Sequence, residues 1–174
     1  MVGNFLKGNP VNASLPSTHS NQYAQDQVNA LDPRITEDCL FLDILVPQQV
    51  FDAPKTGSGV PVLVWIYGGG YTEGEKTYYS SPSTGPAGLL RRSNNNIIFV
   101  ALNYRLGAFG FLSGPTLAAS NGTANLGLLD QRFGLEWVQK NIHLFGGDAK
   151  RVTVMGESAG GGSVMHQVTV LLLR

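Results

Sequence analysis

The chain has 174 residues, enough for one domain with a hydrophobic core. Twelve basic residues balance twelve acidic ones, which leaves no basic face for nucleic acid and no polybasic segment for a membrane surface. Only 14% of residues are charged while 43% are hydrophobic and 22 are glycine, so the composition fits strands buried on both faces and joined by tight turns.

No apolar run approaches the ~20 residues of a membrane span, and the N-terminal stretch MVGNFLKGNPVNASLPS lacks the apolar core of a secretory signal. Residues 1–36 are polar and rich in Pro, Asn, Ser and Gln, and they read as an irregular arm. Cys39 is the only cysteine, which rules out an internal disulfide. The short run Leu40–Val46, interrupted by Asp43 and closed by Pro47, predicts a strand near a sheet margin. A turn over 53–61 follows. The continuous β-branched and aromatic run Val62–Tyr67 predicts a strand buried on both faces.

Residues 68–95 read as a Gly/Ser/Tyr loop with a short helix at Ala87–Arg92, and Ile97–Leu102 as a further buried strand. From Asn125 to Ile142, Leu126, Leu129, Phe133, Trp137 and Val138 recur at three- and four-residue steps, which predicts an amphipathic helix with those residues inward. Phe145-Gly146-Gly147-Asp148 stops it, and Arg151–Met155 predicts a last buried strand. Strands alternating with helical or long connections favour a parallel α/β sheet. The triplets Asn12-Ala13-Ser14 and Asn121-Gly122-Thr123 match the N-glycosylation acceptor, but such triplets arise readily by chance, which is the reading taken.

Gly156-Glu157-Ser158-Ala159-Gly160 follows that last strand directly. A nucleophilic serine needs a sharp turn between strand and helix, and glycine two residues before and after lets the two elements pack that closely. In a glycine-rich chain the five-residue pattern alone is weak; the strand before it and a second glycine motif upstream give it weight. Tyr67-Gly68-Gly69-Gly70-Tyr71 leaves the first buried strand. Alone it reads as a flexible turn. Beside a serine elbow at the same sheet edge it reads as fixed backbone N–H donors for a tetrahedral oxyanion, with Ala159 N–H as the third.

Seven blocks then carry a resemblance: Glu37–Leu42, Trp65–Tyr71, Asn103–Phe111, Asn125–Arg132, Trp137–Ile142, Phe145–Asp148 and the elbow. In this order, from residue 37 to about residue 167, the sequence resembles the type B carboxylesterase/lipase family of the α/β-hydrolase fold. That family includes secreted fungal esterases and lipases and the cholinesterases. The resemblance implies a partial α/β-hydrolase fold, a mostly parallel sheet with flanking helices that stops after the nucleophile elbow. It implies an irregular arm over 1–36 and an incomplete domain over 37–174. The strands starting near residues 42, 97, 62 and 152 are expected side by side in that order.

It further implies Ser158 as nucleophile, an oxyanion hole of the Gly69, Gly70 and Ala159 N–H groups, and ester hydrolysis through an acyl-enzyme. The substrate would be a small-molecule or lipid ester, with no metal or organic cofactor and with an extracellular setting. Glu157 is expected to point away from the reacting carbonyl, Arg105 and Asp130 to form a buried ion pair, and Glu37 and Asp38 to be structural. Tyr71, Tyr78 and Tyr79 either line a gorge or are loop tyrosines at the surface, the second being the reading taken. Cys39 is expected to be a buried, inert thiol, its usual disulfide partner missing.

The pattern then breaks. The sixteen residues after Ser158 contain no Asp or Glu, and their single histidine, His166, stands eight residues on, about 12 Å along a helix axis. A general base must come within roughly 3 Å of the hydroxyl. Neither His143 nor His19 has a reason to reach the site. The chain is therefore expected to be an inactive piece of an ester hydrolase, lacking the triad acid and histidine; the alternative is a non-catalytic truncated or adhesion-like cholinesterase relative. The apolar tail Val168–Arg174 reads as intron read-through or a shifted frame, and Val152–Met155 as an open sheet edge that favours aggregation.

Overall fold

A computed structural model describes residues 36, 38–53, 57–77 and 85–172. The arm before Thr36, Glu37, His19, the Asn12 triplet, Tyr78 and Tyr79 lie outside the described residues. All the elements below belong to one unit, Cys39–Arg174. In chain order they are β1 (Leu42–Leu45), α1 (Gln48–Asp52), β2 (Val60–Ile66), α2 (Ala87–Arg92), β3 (Ile98–Leu102) and α3 (Gly107–Phe111). Then come α4 (Pro115–Ala119), α5 (Leu126–Asn141), a 3-10 turn (Ile142–Phe145), β4 (Gly147–Gly156) and α6 (Ala159–Leu172).

The four strands form one sheet in the order β1-β3-β2-β4, as expected from the family resemblance. β3, β2 and β4 are parallel, and only the marginal β1 runs antiparallel, pairing Leu42 with Leu102 and Leu45 with Phe99. Two-residue periodicity divides β2 and β3 cleanly. Val62, Val64, Ile66, Ile98, Val100 and Leu102 face one way into a core closed by Val138, Ile142 and the half-buried Val164. Leu63, Trp65, Phe99 and Ala101 face the other way, against Leu45 and Leu90. Each fully buried aliphatic side chain contributes about 1.5–3 kcal/mol, so the β2–β3 pair is the energetic centre of the unit.

Two sequence expectations are corrected. β4 is not buried on both faces: Val152 and Val154 are half-buried, while Arg151, Thr153 and Met155 are exposed. Among the described residues β4 has one neighbouring strand, β2, so half of its backbone bonding edge is unpaired. The hydropathy reading of α5 holds only in part: Val138 is buried and Trp137 packs against the core, but Leu129 and Phe133 do not face inward. Phe133 is 68% exposed and Leu129 49%, while Gly127, Asp130, Gln131 and Val138 are buried.

Close backbone approach and polar anchors set this helix face together with Val138, Leu135 and Trp137. A Cβ at Gly127 would lie 2.6 Å from the Arg105 carbonyl oxygen, and one at Gly134 would lie 3.0 Å from Leu102 Cδ2. Gln131 Nε2 donates to Ser163 Oγ at 2.9 Å, and Gln167 Nε2 donates to the Leu128 carbonyl at 2.9 Å. Arg132 Nε adds a bond to Gln167 Oε1 at 2.9 Å. These bonds clamp α5 to α6, the helix that begins just behind Ser158. The sequence that read as a bare apolar tail continues α6 as helix through Leu172.

Candidate functional site

Ser158 stands between the end of β4 at Gly156 and the start of α6 at Ala159, with φ +52°. A non-glycine residue in the left-handed region is uncommon, and persists where its surroundings over-determine it. Here they do. A Cβ at Gly160 would lie 2.8 Å from the Tyr67 carbonyl oxygen and would also meet Ile66, and one at Gly156 would lie 2.8 Å from Gly161 N. Only glycine fits two residues to either side of the serine, so strand and helix cross at backbone contact. Gly160 N–H donates to the Glu157 carbonyl at 2.8 Å and Gly162 N–H to the Ser158 carbonyl at 3.0 Å, which closes the turn into the helix. The Ser158 side is exposed to solvent.

The glycine run reaches the same place from β2. A Cβ at Gly68 would lie 3.0 Å from Ser158 Cβ, 2.8 Å from the Glu157 carbonyl oxygen and 2.7 Å from Glu157 Oε2. Gly69 and Gly70 follow with φ +98° and +61°, and Tyr71 with φ +63°. The Gly69 carbonyl accepts from Thr72 N at 3.0 Å and Glu73 N at 3.1 Å, which holds the reversal. Among the described residues, the N–H groups of Gly69, Gly70 and Ala159 have no hydrogen-bond acceptor. Gly68, Gly69 and Glu157 line a cavity of about 140 Å³ together with Trp65, Tyr67, Glu73 and Gly74. Trp65 Nε1 is buried and has no hydrogen-bond partner among the described residues.

A pair of tyrosines that sequence reasoning passed over positions this loop. Tyr67 and Tyr104 stack with ring centroids 4.4 Å apart. Tyr104 Oη donates to the Tyr67 carbonyl at 2.7 Å, and Tyr67 Oη donates to the Tyr104 carbonyl at 3.1 Å. Burial pushes the Tyr67 hydroxyl up to about 12, partly offset by its bond to the Tyr104 backbone. Burial, with Tyr67 and Tyr71 nearby, raises Tyr104 as well. The exits of β2 and β3 are thereby tied together directly upstream of the glycine run. Tyr67 stands one residue past β2 and Tyr104 two past β3, so the pairing of these strands is what shows them as neighbours.

Arg105, next to this pair, makes a bidentate contact with Asp130: Nε to Oδ2 at 2.8 Å and NH2 to Oδ1 at 2.7 Å. Its backbone N–H donates to Oδ2 at 3.0 Å. The hydrogen bond to Asp130 raises the guanidinium pKa further. The expected ion pair is present but only Asp130 is buried; the Arg105 side chain is 37% exposed. Tyr71 is not a surface tyrosine. It is half-buried, with its ring against Phe111 at 4.6 Å, and a Cβ at Gly162 would lie 2.9 Å from its hydroxyl. Asp38 is exposed and, among the described residues, has no ion-pair partner. Cys39 is free and half-buried rather than buried.

Neither of the described histidines, His143 and His166, is placed at Ser158. His166 is exposed on α6, about 12 Å along the axis from the serine. His143 lies in the 3-10 turn at the opposite end of β4, about 30 Å away over ten strand residues. It borders a cavity of 460 Å³ with Gln49, Asn96 and Gly146, far from the serine edge.

Comparison with known proteins agrees with this geometry. A family-wide sequence profile described as "Carboxylesterase family" matches residues 8–172. Carboxylesterase patB of Aspergillus clavatus is 51% identical over 146 residues, covering 79% of this chain and 25% of that protein. Secreted lipase 1 of Botryotinia fuckeliana is 46% identical over 134 residues, covering 77% of this chain and 22% of that protein. The crystal structure of Aspergillus niger EstA superposes with a TM-score of 0.65 at 41% identity, over 77% of this chain and 24% of that one. The chain thus spans about a quarter of the length of the proteins it matches.

Proposed function

The chain belongs to the carboxylesterase family, and we propose that it carries the nucleophile and oxyanion half of a serine carboxylic ester hydrolase. The observation that carries this reading is the joint placement of Ser158 and Gly68. A serine held in left-handed backbone by glycine contacts on both sides meets a glycine run whose following N–H groups are unoccupied. In the proposed reaction Ser158 Oγ attacks the ester carbonyl, and the N–H groups of Gly69, Gly70 and Ala159 receive the developing oxyanion. The alcohol leaves, and water hydrolyses the acyl-serine. Removing one such donor typically costs 10²–10³ in rate, so three donors without a base are a competent cradle but an incomplete enzyme.

The acid and the histidine that would deprotonate Ser158 are assigned to parts of the protein outside these residues, because His166 and His143 are too far to serve. Residues 37–174 are assigned to an incomplete carboxylesterase-type domain and 1–36 to an arm, part of which shares the family match from residue 8. Small-molecule or lipid esters are the proposed substrates. An extracellular setting is proposed on the strength of relatives named as secreted lipases; no described helix is long and apolar enough to cross a membrane.

Ester turnover tests this. The 174-residue chain is expected to hydrolyse p-nitrophenyl acetate no faster than its Ser158→Ala variant. A longer product of the same gene that adds a histidine and an acid is expected to turn over, with activity lost on Ser158→Ala. A longer product that is active and indifferent to Ser158→Ala would contradict the assignment.

A further inference from the structure

The loop between α4 and α5 carries Asn121-Gly122-Thr123, and the fold accounts for two of these three residues. Asn121 has φ +55°, and its backbone N–H donates to the Ala118 carbonyl at 3.1 Å as the chain leaves α4. Asparagine and glycine are the residues that adopt this conformation with least strain. Gly122 N–H donates to the Leu117 carbonyl at 2.8 Å, and a Cβ there would lie 2.6 Å from Leu117 Cγ and 3.0 Å from its carbonyl oxygen. Glycine sits there without displacing the Leu117 side chain.

Thr123 has no such reason. It is exposed, its backbone φ is not in the left-handed region, and among the described residues its hydroxyl makes no hydrogen bond. The Asn121 side-chain amide is likewise exposed and bonded to nothing among the described residues. An acceptor triplet requires a hydroxyl two residues after an accessible asparagine, and here the residue that packing leaves unexplained supplies it.

We infer that Asn121 is an N-glycan attachment site. The co-substrate is an oligosaccharide linked through pyrophosphate to a polyisoprenoid lipid. Asn121 Nδ2 forms a bond to the sugar's anomeric carbon, the bond from that carbon to the pyrophosphate oxygen breaks, and the lipid pyrophosphate leaves. The amide gives up one proton to the transferase's base. The glycan projects from a loop whose side chains are free of the core, so no buried contact is lost on its addition.

This inference rests on the extracellular reading, and the experiment separates the two. The full chain, carrying Asn12→Gln and preceded by a cleavable heterologous leader, is translated with rough microsomes. One endoglycosidase-sensitive increment in mass is expected, lost in Asn121→Gln and in Thr123→Ala and retained in Thr123→Ser. Because transfer occurs on the entering chain, a variant that fails to fold still reports. Protease-protected chain with an unmodified Asn121 peptide, or an increment that survives Asn121→Gln, would overturn the inference. Finding the native product only inside cells would break the extracellular reading alone, since the leader-driven arm reports the site independently.

Discussion

The serine edge and the outer surface of α5 and β4 are built on opposite terms. At the edge, backbone touches backbone: Gly156, Gly160 and Gly68 each leave no room for a Cβ, and two tyrosines bond each other's carbonyls. Across α5 and β4, large apolar side chains stand in the open, with Phe133 68% exposed, Leu129 49% and Met155 38%. The first region tolerates no change of shape. The second is apolar surface that contributes almost nothing to holding the unit together. The difference teaches that the geometry of the serine edge resides in close backbone packing of three strand exits and one helix start, and depends little on how well the periphery is covered.

The strongest way to break that contrast is Gly160→Ala. The new methyl would collide with the carbonyls of Ile66 and Tyr67, neither of which can move without shifting β2. A loss of about 3 kcal/mol or more is expected, read as a lowered urea midpoint. A variant as stable as the parent would mean that strand and helix do not cross at contact.

Next comes Asp130→Ala, which strands the Arg105 guanidinium and frees the start of α5 from the β3 exit. Removing one partner of a buried pair costs about 3–5 kcal/mol, and the half-exposed arginine reduces this to about 2 kcal/mol. Asp130→Asn, which keeps one acceptor, should recover part of the loss in the same urea measurement.

Tyr104→Phe is expected to cost about 1–2 kcal/mol by removing the 2.7 Å bond to the Tyr67 carbonyl. It also sharpens the comparison through pH. The Tyr67 hydroxyl has its pKa raised from 10.0 to about 12 by burial, so its contribution is complete below pH 10 and is lost as pH rises through about 12. Tyr104 is raised in the same direction. Denaturant titrations from pH 8 to 11 should show stability falling above pH 10, less steeply in Tyr104→Phe. A flat profile in the parent would contradict the burial of this pair.

The smallest expected effect is Phe133→Gln, within about 0.5 kcal/mol of the parent, together with more protein remaining soluble after centrifugation. A large destabilisation would show that the hydropathy reading of α5 had the helix face right after all.

Those four positions also mark what the sequence could reveal. The serine elbow, the glycine run and the strands themselves were legible because backbone conformation demands particular residues there: Gly156 and Gly160 are required by contact, and the β-branched runs admit little besides strand; the strand order came from the family resemblance. The inner face of α5 was not legible. Its periodicity of Leu126, Leu129, Phe133, Trp137 and Val138 is that of apolar residues and placed Val138 correctly, whereas the rest of the buried stripe consists of Gly127, Asp130 and Gln131. Glycines chosen for close approach carry no hydropathy signal, and an aspartate and a glutamine turn inward only because Arg105 and Ser163 meet them. β4 misled for a related reason, since alternating Val and Thr or Met fits a strand covered on either or both faces. The Tyr67–Tyr104 lock needed the β2–β3 register before the two residues could be seen as neighbours.

The most direct test of the central claim is to supply the missing base. The 174-residue chain, shown to unfold cooperatively, is treated with a fluorophosphonate with and without added imidazole, and the modified peptide is mapped by mass spectrometry. The account predicts slow or no reaction alone and imidazole-dependent modification confined to Ser158, abolished by Ser158→Ala. Equally fast modification without imidazole would show that the chain holds its own base, and modification at other serines instead of Ser158 would show that the elbow is not the nucleophile.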